Sequence, residues 1–304
     1  MIHRQPDETK ASTTMRILLA GATGAIGRPL LPLLLAAGHQ VIATSRSAEG
    51  VAALGARGAE AVRLDVFDRA AVERAVAEAA PDAIVHQLTA LADFDLALNA
   101  RIRREGTRNL VDAAHRAGVR RIVAQSISWA YQGGDTPATE STPLDDTTEE
   151  PRATTVDGLR ALEQAAAELP EHVVLRYGTL YGPGTWYAPG GLMAQRLHRG
   201  EVPASAAVSS FLHVEDAARA ALAALDWPSG TVNIVDDKPT RADVWVPVLA
   251  AALGAPAPTP VPGRAAWERG ADNALARTTR GWQPGRSSWR AAFAAAGPSR
   301  SERL

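Results

Sequence analysis

Gly21, Gly24 and Gly27 stand three residues apart, directly after the apolar run "RILLAG" and at the mouth of the helical stretch "RPLLPLLLAAG". Glycines in that setting can cradle a phosphate. Gly21 permits a tight turn, Gly24 lets a pyrophosphate approach the backbone, and Gly27 lets helix and strand pack closely. The free N–H groups at the helix start favour the phosphate charge, and Thr23, Ala25 and Ile26 complete the turn. The second strand-like run ends in "TSRS", which is Thr44, Ser45, Arg46 and Ser47. No acid stands there to accept a ribose 2′-hydroxyl. Arg46 offers a forked cation, and Ser45 and Ser47 offer hydroxyls, as a 2′-phosphate requires. The pattern favours NADP over NAD.

Groups able to move protons are scarce. The chain has four tyrosines (Tyr131, Tyr177, Tyr181 and Tyr187), two lysines (Lys10 and Lys238) and no cysteine. Disulfides, thiolate nucleophiles and zinc–sulfur sites are therefore excluded, and no metal site is expected. The helix "TTVDGLRALE", residues 154–163, contains no Tyr, Lys, His or Cys. Thr154 or Thr155 suits its cap and Asp157 its first turn. Leu159 and Leu162 face inward, and Glu163 can stay in water. His86 and His213 fall at strand ends, where a ring nitrogen could act as a base but a structural role is equally suited. The acids of "LDDTTEE" read as solvated; Arg196, Arg199 and Arg241 could bind an anionic group such as a diphosphate, but read as exposed.

The elements that must position these residues alternate. Strand-like runs "RILLAG", "HQVIATSR", "AEAVRLDV", "PDAIVHQLTA", "VRRIVAQSIS" and "HVVLRYG" are separated by helical stretches. That order implies parallel pairing through right-handed crossovers, an α/β doubly wound sheet of Rossmann type. After Gly178 a Gly/Pro-rich loop carries Trp186 and Tyr187, either as a core anchor or as an aromatic lid over substrate. We expect a disordered tail over 1–14, a dinucleotide-binding core over 15–178, and a small substrate-binding lobe over 179–304. Residues 208–236 return to the core. A length of 304 residues, a net charge of -1 and 46% hydrophobic content suit a soluble, cytoplasmic globular protein. The balanced charge argues for a small-molecule substrate and against nucleic acid or a membrane surface. A monomer or homodimer is expected.

The stretches "GATGAIG", "RLDVFD", "GTRNLVDAAHRAGVRRIVAQS", "LRYGTLYGPG" and "FLHVEDAARA" occur in the order of the extended, epimerase/dehydratase-like short-chain dehydrogenases/reductases. Over about residues 15 to 240 the chain resembles that family. The resemblance implies that Asp65 and Val66 contact adenine. It places Gln87, Leu88 and Thr89 beside the ribose and nicotinamide, and Tyr177, Gly178 and Leu180 near the nicotinamide amide. In the family a strand-end Ser or Thr orients a carbonyl, and a Tyr-x-x-x-Lys helix moves the proton.

Ser126 matches that serine, with Ser128 an alternative on the substrate side. Aligned on Glu163, however, the tyrosine position holds Thr155 and the lysine position Leu159, and residues 132–176 contain neither Tyr nor Lys. Tyr131, Tyr177 or a bound water remain to supply a proton. The resemblance implies an NADP-dependent oxidoreductase acting on a small hydroxyl- or carbonyl-bearing molecule. A non-redox isomerase, lyase or cyclase on the same scaffold, and a non-enzymatic NADP-binding regulator, stay open beside it.

Overall fold

Short apolar runs become parallel strands when helices can cover both of their faces. The computed structural model describes residues 14–91, 94–286 and 288–294; except for Thr14, the expected N-terminal tail lies outside them. Strands β1 (Arg16–Ala20), β2 (Gln40–Ser45), β3 (Glu60–Arg63), β4 (Ala83–His86), β5 (Arg121–Ile127) and β6 (Glu171–Tyr177) form the first half. They alternate with α1 (Gly27–Ala36), α2 (Ala48–Gly55), α3 (Arg69–Ala79), α4 (Leu96–Arg101), α5 (Thr107–Ala117) and α6 (Arg152–Ala166). There follow β7 (Thr179–Tyr181), α7 (Leu192–His198), β8 (Val208–Ser209), β9 (Phe211–His213), α8 (Val214–Ala223), β10 (Gly230–Ile234), β11 (Thr240–Arg241) and α9 (Ala242–Leu253).

Seven strands pair in the order β10-β6-β5-β4-β1-β2-β3, every pair parallel. This is a doubly wound Rossmann-type sheet. Alternate residues of β1 show why both faces are apolar. Ile17 and Leu19 pack in one core layer with Leu30, Leu34 and Ala217, while Leu18 and Ala20 pack in the other with Leu110, Ile122 and Leu162. A third cluster, built on Phe211, Trp245, Leu249, Trp289 and Phe293, holds the C-terminal elements together. Strand order reverses between β1 and β4, which opens a crevice at the carboxyl ends of the strands.

Two local features shape that crevice. Between α4 and α5 the helix does not break but widens into a π-helical turn over Ile102–Gly106, a geometry that re-aims side chains. Helix α6 starts at Arg152, earlier than its threonines suggest. Thr154 and Thr155 therefore sit inside its first turn and not at its cap. The Thr155 hydroxyl donates to the Pro151 carbonyl (3.2 Å), and the Thr154 hydroxyl to Glu150 (2.8 Å). Among the described residues no helix is long and apolar enough to cross a membrane, and no His/Cys/Asp/Glu cluster could hold a metal.

Candidate active site

The glycine turn leaves no room for side chains. Gly21 has φ +94°, and a Cβ there would lie 2.5 Å from the Gln87 carbonyl oxygen on the adjacent β4 loop. A Cβ on Gly27 would lie 2.2 Å from the Gly21 oxygen. At Gly24 the nearest atom would be that same oxygen, at 3.3 Å, so its open side faces the crevice. The turn is closed by the Gly24 N–H donating to the Gly21 carbonyl (3.0 Å) and by the Arg28 guanidinium donating to the Thr23 carbonyl (2.9 Å). Ala25 and Ile26 lead into α1, and Ile26 is buried beneath the turn.

Two hollows share Arg46 in their linings. One is lined by Thr23, Ser45, Arg46 and Ser47. The other is lined by Thr44, Arg46, Leu64, Asp65, Val66, Phe67, Leu88, Thr89 and Ile102. Leu88 and Thr89 thus share a hollow with Asp65 and Val66. The serines have local work. The Ser47 hydroxyl accepts from the Gly50 N–H (3.0 Å) as the cap of α2, and the Ser45 hydroxyl accepts from the Ser47 N–H (3.4 Å). The Arg46 guanidinium is exposed and has no partner among the described residues. A glycine cradle that a Cβ would fill, flanked by a free guanidinium, fits the phosphates of a dinucleotide.

At the other end of the crevice the residues have different employment from the one their types suggest. Ser126 is fully buried, and its hydroxyl donates to Glu163 (2.6 Å). The same carboxylate takes two hydrogen bonds from Arg176 on β6, at 2.9 and 2.6 Å. Glu163 is therefore the buried centre of an ion-paired cluster and is not in water. Its side chain is only 13% exposed. Asp145 likewise leaves solvent to pair with Arg152 (2.6 Å). Ser128, by contrast, gives its backbone N–H to the Tyr177 carbonyl (2.9 Å) and keeps its hydroxyl free among the described residues.

The two candidate phenols are turned into the protein. Tyr131 is 1% exposed; its hydroxyl donates to Asn233 on β10, and Arg176 lies over its ring (4.8 Å). Burial pushes its pKa up to about 12. Tyr177 is 1% exposed, its hydroxyl faces the Ala217 carbonyl of α8 (3.4 Å), and burial drives its pKa upward. The structure does not bring either hydroxyl to the crevice. Gly178 and Leu180 are tied to the neighbouring strands, Gly178 through the Ile234 carbonyl (2.9 Å) and Leu180 in register with Leu212. Thr155 is 4% exposed, and Leu159 is fully buried with Ile127, Ala130 and Val156. Gln87 has both amide atoms buried without hydrogen bonds.

The histidines are structural. His86 Nε2 meets the Thr107 hydroxyl (2.9 Å), and its Nδ1 accepts from the Leu88 N–H (3.3 Å). Burial first, and the nearby Arg103 charge second, hold its pKa down to about 4, so the ring is neutral. His213 accepts from the Glu215 N–H (3.3 Å) and caps α8.

Trp186 and Tyr187 part company. The Trp186 indole N–H donates to the Leu91 carbonyl (2.7 Å), and its ring packs on Phe94 (4.9 Å between centroids), which ties the loop after β7 to the loop after β4. Tyr187 turns away into the C-terminal cluster, stacked on Phe293 (5.5 Å) and edge-on to Phe211 and Trp245. Arg199 and Arg196 pair with Glu201, and Arg241 with Asp243, at the surface.

Sequence reasoning did not single out Glu163, Arg176 or Arg103 as site residues. Arg176 carried a signal, because a cation inside an apolar strand must find a partner. Arg103 carried none.

Comparison with known proteins agrees with this fold. The profile of the NAD dependent epimerase/dehydratase family matches residues 17–235. A 3-diazoavenalumate denitrifying reductase from a Streptomyces species is 44% identical over 305 residues, covering 91% of this chain and 98% of that protein. The UDP-glucose 4-epimerase of Thermus thermophilus, solved with NAD, superposes with a TM-score of 0.72 at 25% identity over 93% of this chain and 97% of that one. The Bordetella bronchiseptica enzyme WbmG, solved with NAD and UDP, gives 0.72 at 24% identity over 94% and 97%.

Proposed function

The chain belongs to the NAD-dependent epimerase/dehydratase family and is an oxidoreductase- or epimerase-like enzyme, and from that premise we propose that it is an NADPH-dependent reductase that removes nitrogen from a small diazo compound. The observation that carries this reading is the pairing of Thr155 and Leu159 on α6. Aligned on Glu163, Thr155 and Leu159 correspond to the family's proton donor and its lysine; here the threonine is bonded to its own helix and the leucine is sealed in a core cluster. Neither buried phenol compensates. A reduction in which no proton is taken up suits such a site.

Loss of nitrogen from a diazonium carbon is a reduction of that kind. The bound cofactor would supply hydride, and with a diazonium carbon as acceptor the balance is R–N₂⁺ + H⁻ → R–H + N₂, so one C–N bond breaks, one C–H bond forms and no acid is consumed. The chain's part is to bind, orient and exclude water. The turn Gly21–Gly27 holds the diphosphate, Arg46 favours the 2′-phosphate, and Asp65, Val66, Leu88 and Thr89 line the adenosine hollow. Ser128 offers a free hydroxyl just beyond β5, and Trp186, packed on Phe94 and bonded to the Leu91 carbonyl, joins the loops after β7 and β4. The diazo specificity of the 44%-identical reductase supports the same assignment.

The test is isotopic. Purified enzyme with NADPH deuterated at the transferable position should release dinitrogen and place deuterium on the carbon that bore it. NADPH oxidation without deuterium at that carbon, or no turnover of any diazo compound, overturns the proposal. Turnover of a ketone instead would return the carbonyl-reductase reading, with Ser128 as the polarising hydroxyl.

A further inference from the structure

Arg103 is a buried cation with nothing to hold. It lies in the π-helical turn between α4 and α5 and is 3% exposed. Among the described residues its guanidinium makes no hydrogen bond, ion pair or ring contact. The neighbouring shielded arginines are all paired: Arg176 with Glu163, Arg152 with Asp145, and Arg121 with Glu171.

Its surroundings cannot neutralise it. Two groups lie within its electrostatic reach, His86 at the end of β4 and Glu163 on α6. His86 is neutral, and its ring nitrogens are taken by Thr107 and Leu88. Glu163 is already committed to Arg176 and Ser126. One helical turn to either side, Asn99 holds the Ala90 N–H (3.1 Å) and Thr107 holds His86. Glu140, the other carboxylate within reach of Arg176, accepts the Asn233 N–H (2.8 Å), so among the described residues no carboxylate beneath the ends of β4 and β5 hydrogen-bonds Arg103. Burial lowers the Arg103 pKa to about 10, which still leaves it charged at neutral pH. A buried charge normally has a partner.

That partner is not the cofactor's phosphates. Those have places at the Gly21–Gly27 turn and at Arg46, and Arg103 lines neither of the hollows that Arg46 borders. We propose that Arg103 binds an anionic oxygen of the substrate. The assignment rests on the diazo-reductase reading above and adds the charge that the substrate carries. A ring oxyanion in conjugation with the diazo carbon donates electrons to it and blunts its acceptance of hydride. Held by a guanidinium, the negative charge stays on oxygen and the carbon keeps its diazonium character. The balance is ⁻O–R–N₂⁺ + H⁻ → ⁻O–R–H + N₂, and the oxyanion of the product remains paired to Arg103.

The test compares Arg103→Met and Arg103→Lys with the unaltered enzyme on three probes, following NADPH oxidation. The probes are 2-diazoniophenolate, 4-carboxybenzenediazonium and benzenediazonium. Loss of a charge-assisted, bidentate hydrogen bond should lower kcat/KM of Arg103→Met by about 100-fold on 2-diazoniophenolate, with benzenediazonium within about threefold and partial recovery in Arg103→Lys. A selective loss on the carboxylated probe instead assigns the anion to a carboxylate. Equal losses on all three probes, or no loss on any, overturn the proposal.

A binding arm stands apart from turnover. With NADP⁺ present at about pH 8.5, 4-nitrophenolate should bind the unaltered enzyme at least about tenfold more tightly than 4-nitroanisole, and Arg103→Met should erase the difference while still binding NADPH. Equal affinity of the unaltered enzyme for phenolate and ether sinks the Arg103 assignment, even if Arg103→Met does not fold. If no diazo probe is turned over but the phenolate is preferred, the diazo reading fails and Arg103 remains an anion site.

Discussion

Arg176 of β6 and Glu163 of α6 form a two-bonded ion pair whose carboxylate also receives the Ser126 hydroxyl. Helix and sheet are thereby joined at the point where a strand-end serine would otherwise face substrate. Glu163→Gln strands a buried guanidinium and should cost about 3–5 kcal/mol of stability, seen as a lower denaturant midpoint. Ser126→Ala removes one hydrogen bond and should cost about 1–2 kcal/mol while kcat stays within about twofold. A hundredfold fall in kcat for a fully folded Ser126→Ala protein would restore the serine to the chemistry.

Tyr131→Phe makes the matching test of the phenol. The lost bond to Asn233 should lower stability by about 1–2 kcal/mol and leave hydride transfer unchanged. The check is single-turnover kinetics beside a melting curve; a large kinetic effect without a stability effect would make Tyr131 a proton donor.

Gly24→Ala and Gly27→Ala should behave differently. The Gly24 Cβ would meet only the Gly21 oxygen at 3.3 Å, so the protein should fold and lose NADPH affinity by about tenfold or more. The Gly27 Cβ would lie 2.2 Å from that oxygen, so its variant should be recovered poorly or melt many degrees lower. Circular dichroism and NADPH fluorescence titration separate the two.

Arg46→Ala should cut NADPH affinity by about 10- to 100-fold and leave NADH affinity nearly unchanged, because only the 2′-phosphate loses its cation. Equal weakening of both cofactors would mean that Arg46 contacts something common to them.

Two buried groups give the stability a pH signature. The His86 pKa falls from 6.5 to about 4 on folding, so the unfolded chain takes up its proton first, and stability drops as pH falls from about 6.5 towards 4. Burial raises the Asp236 pKa from 3.8 to about 7, so the folded state holds that proton longer, and stability drops as pH rises over that interval. Asp236→Asn should therefore exceed the unaltered protein in stability above pH 7, by roughly 1–3 kcal/mol in urea titrations, and match it near pH 4.

The sheet was legible because its runs are apolar on both faces and end in turn residues, and the glycine turn because it lies between such a run and a helix. Side-chain employment was harder to read. Glu163 follows Leu159 by four residues, so helical spacing already placed it inward; its partner Arg176 comes from the next strand, and only the β5–β6 pairing brings the two together. Tyr177 ends a strand at the crevice, yet which side its ring takes depends on how α8 packs, far along the chain. Trp186 and Tyr187 are neighbours that face opposite ways, as loop geometry allows and spacing cannot tell. Arg103 is one of thirty arginines, and its burial depends on a helical irregularity without a sequence motif.

The Trp186–Leu91 clasp has a chemical consequence for the proposed reaction. A diazonium ion in water loses nitrogen to solvent and becomes an alcohol or phenol, so hydride must outrun hydroxylation. In the proposed site the indole would shield the reacting carbon from that nucleophile and thereby set the product ratio, whatever it does to the rate. Trp186→Ala should raise the yield of hydroxylated product at the expense of the reduced one, a partition that chromatography of a single reaction mixture reads directly.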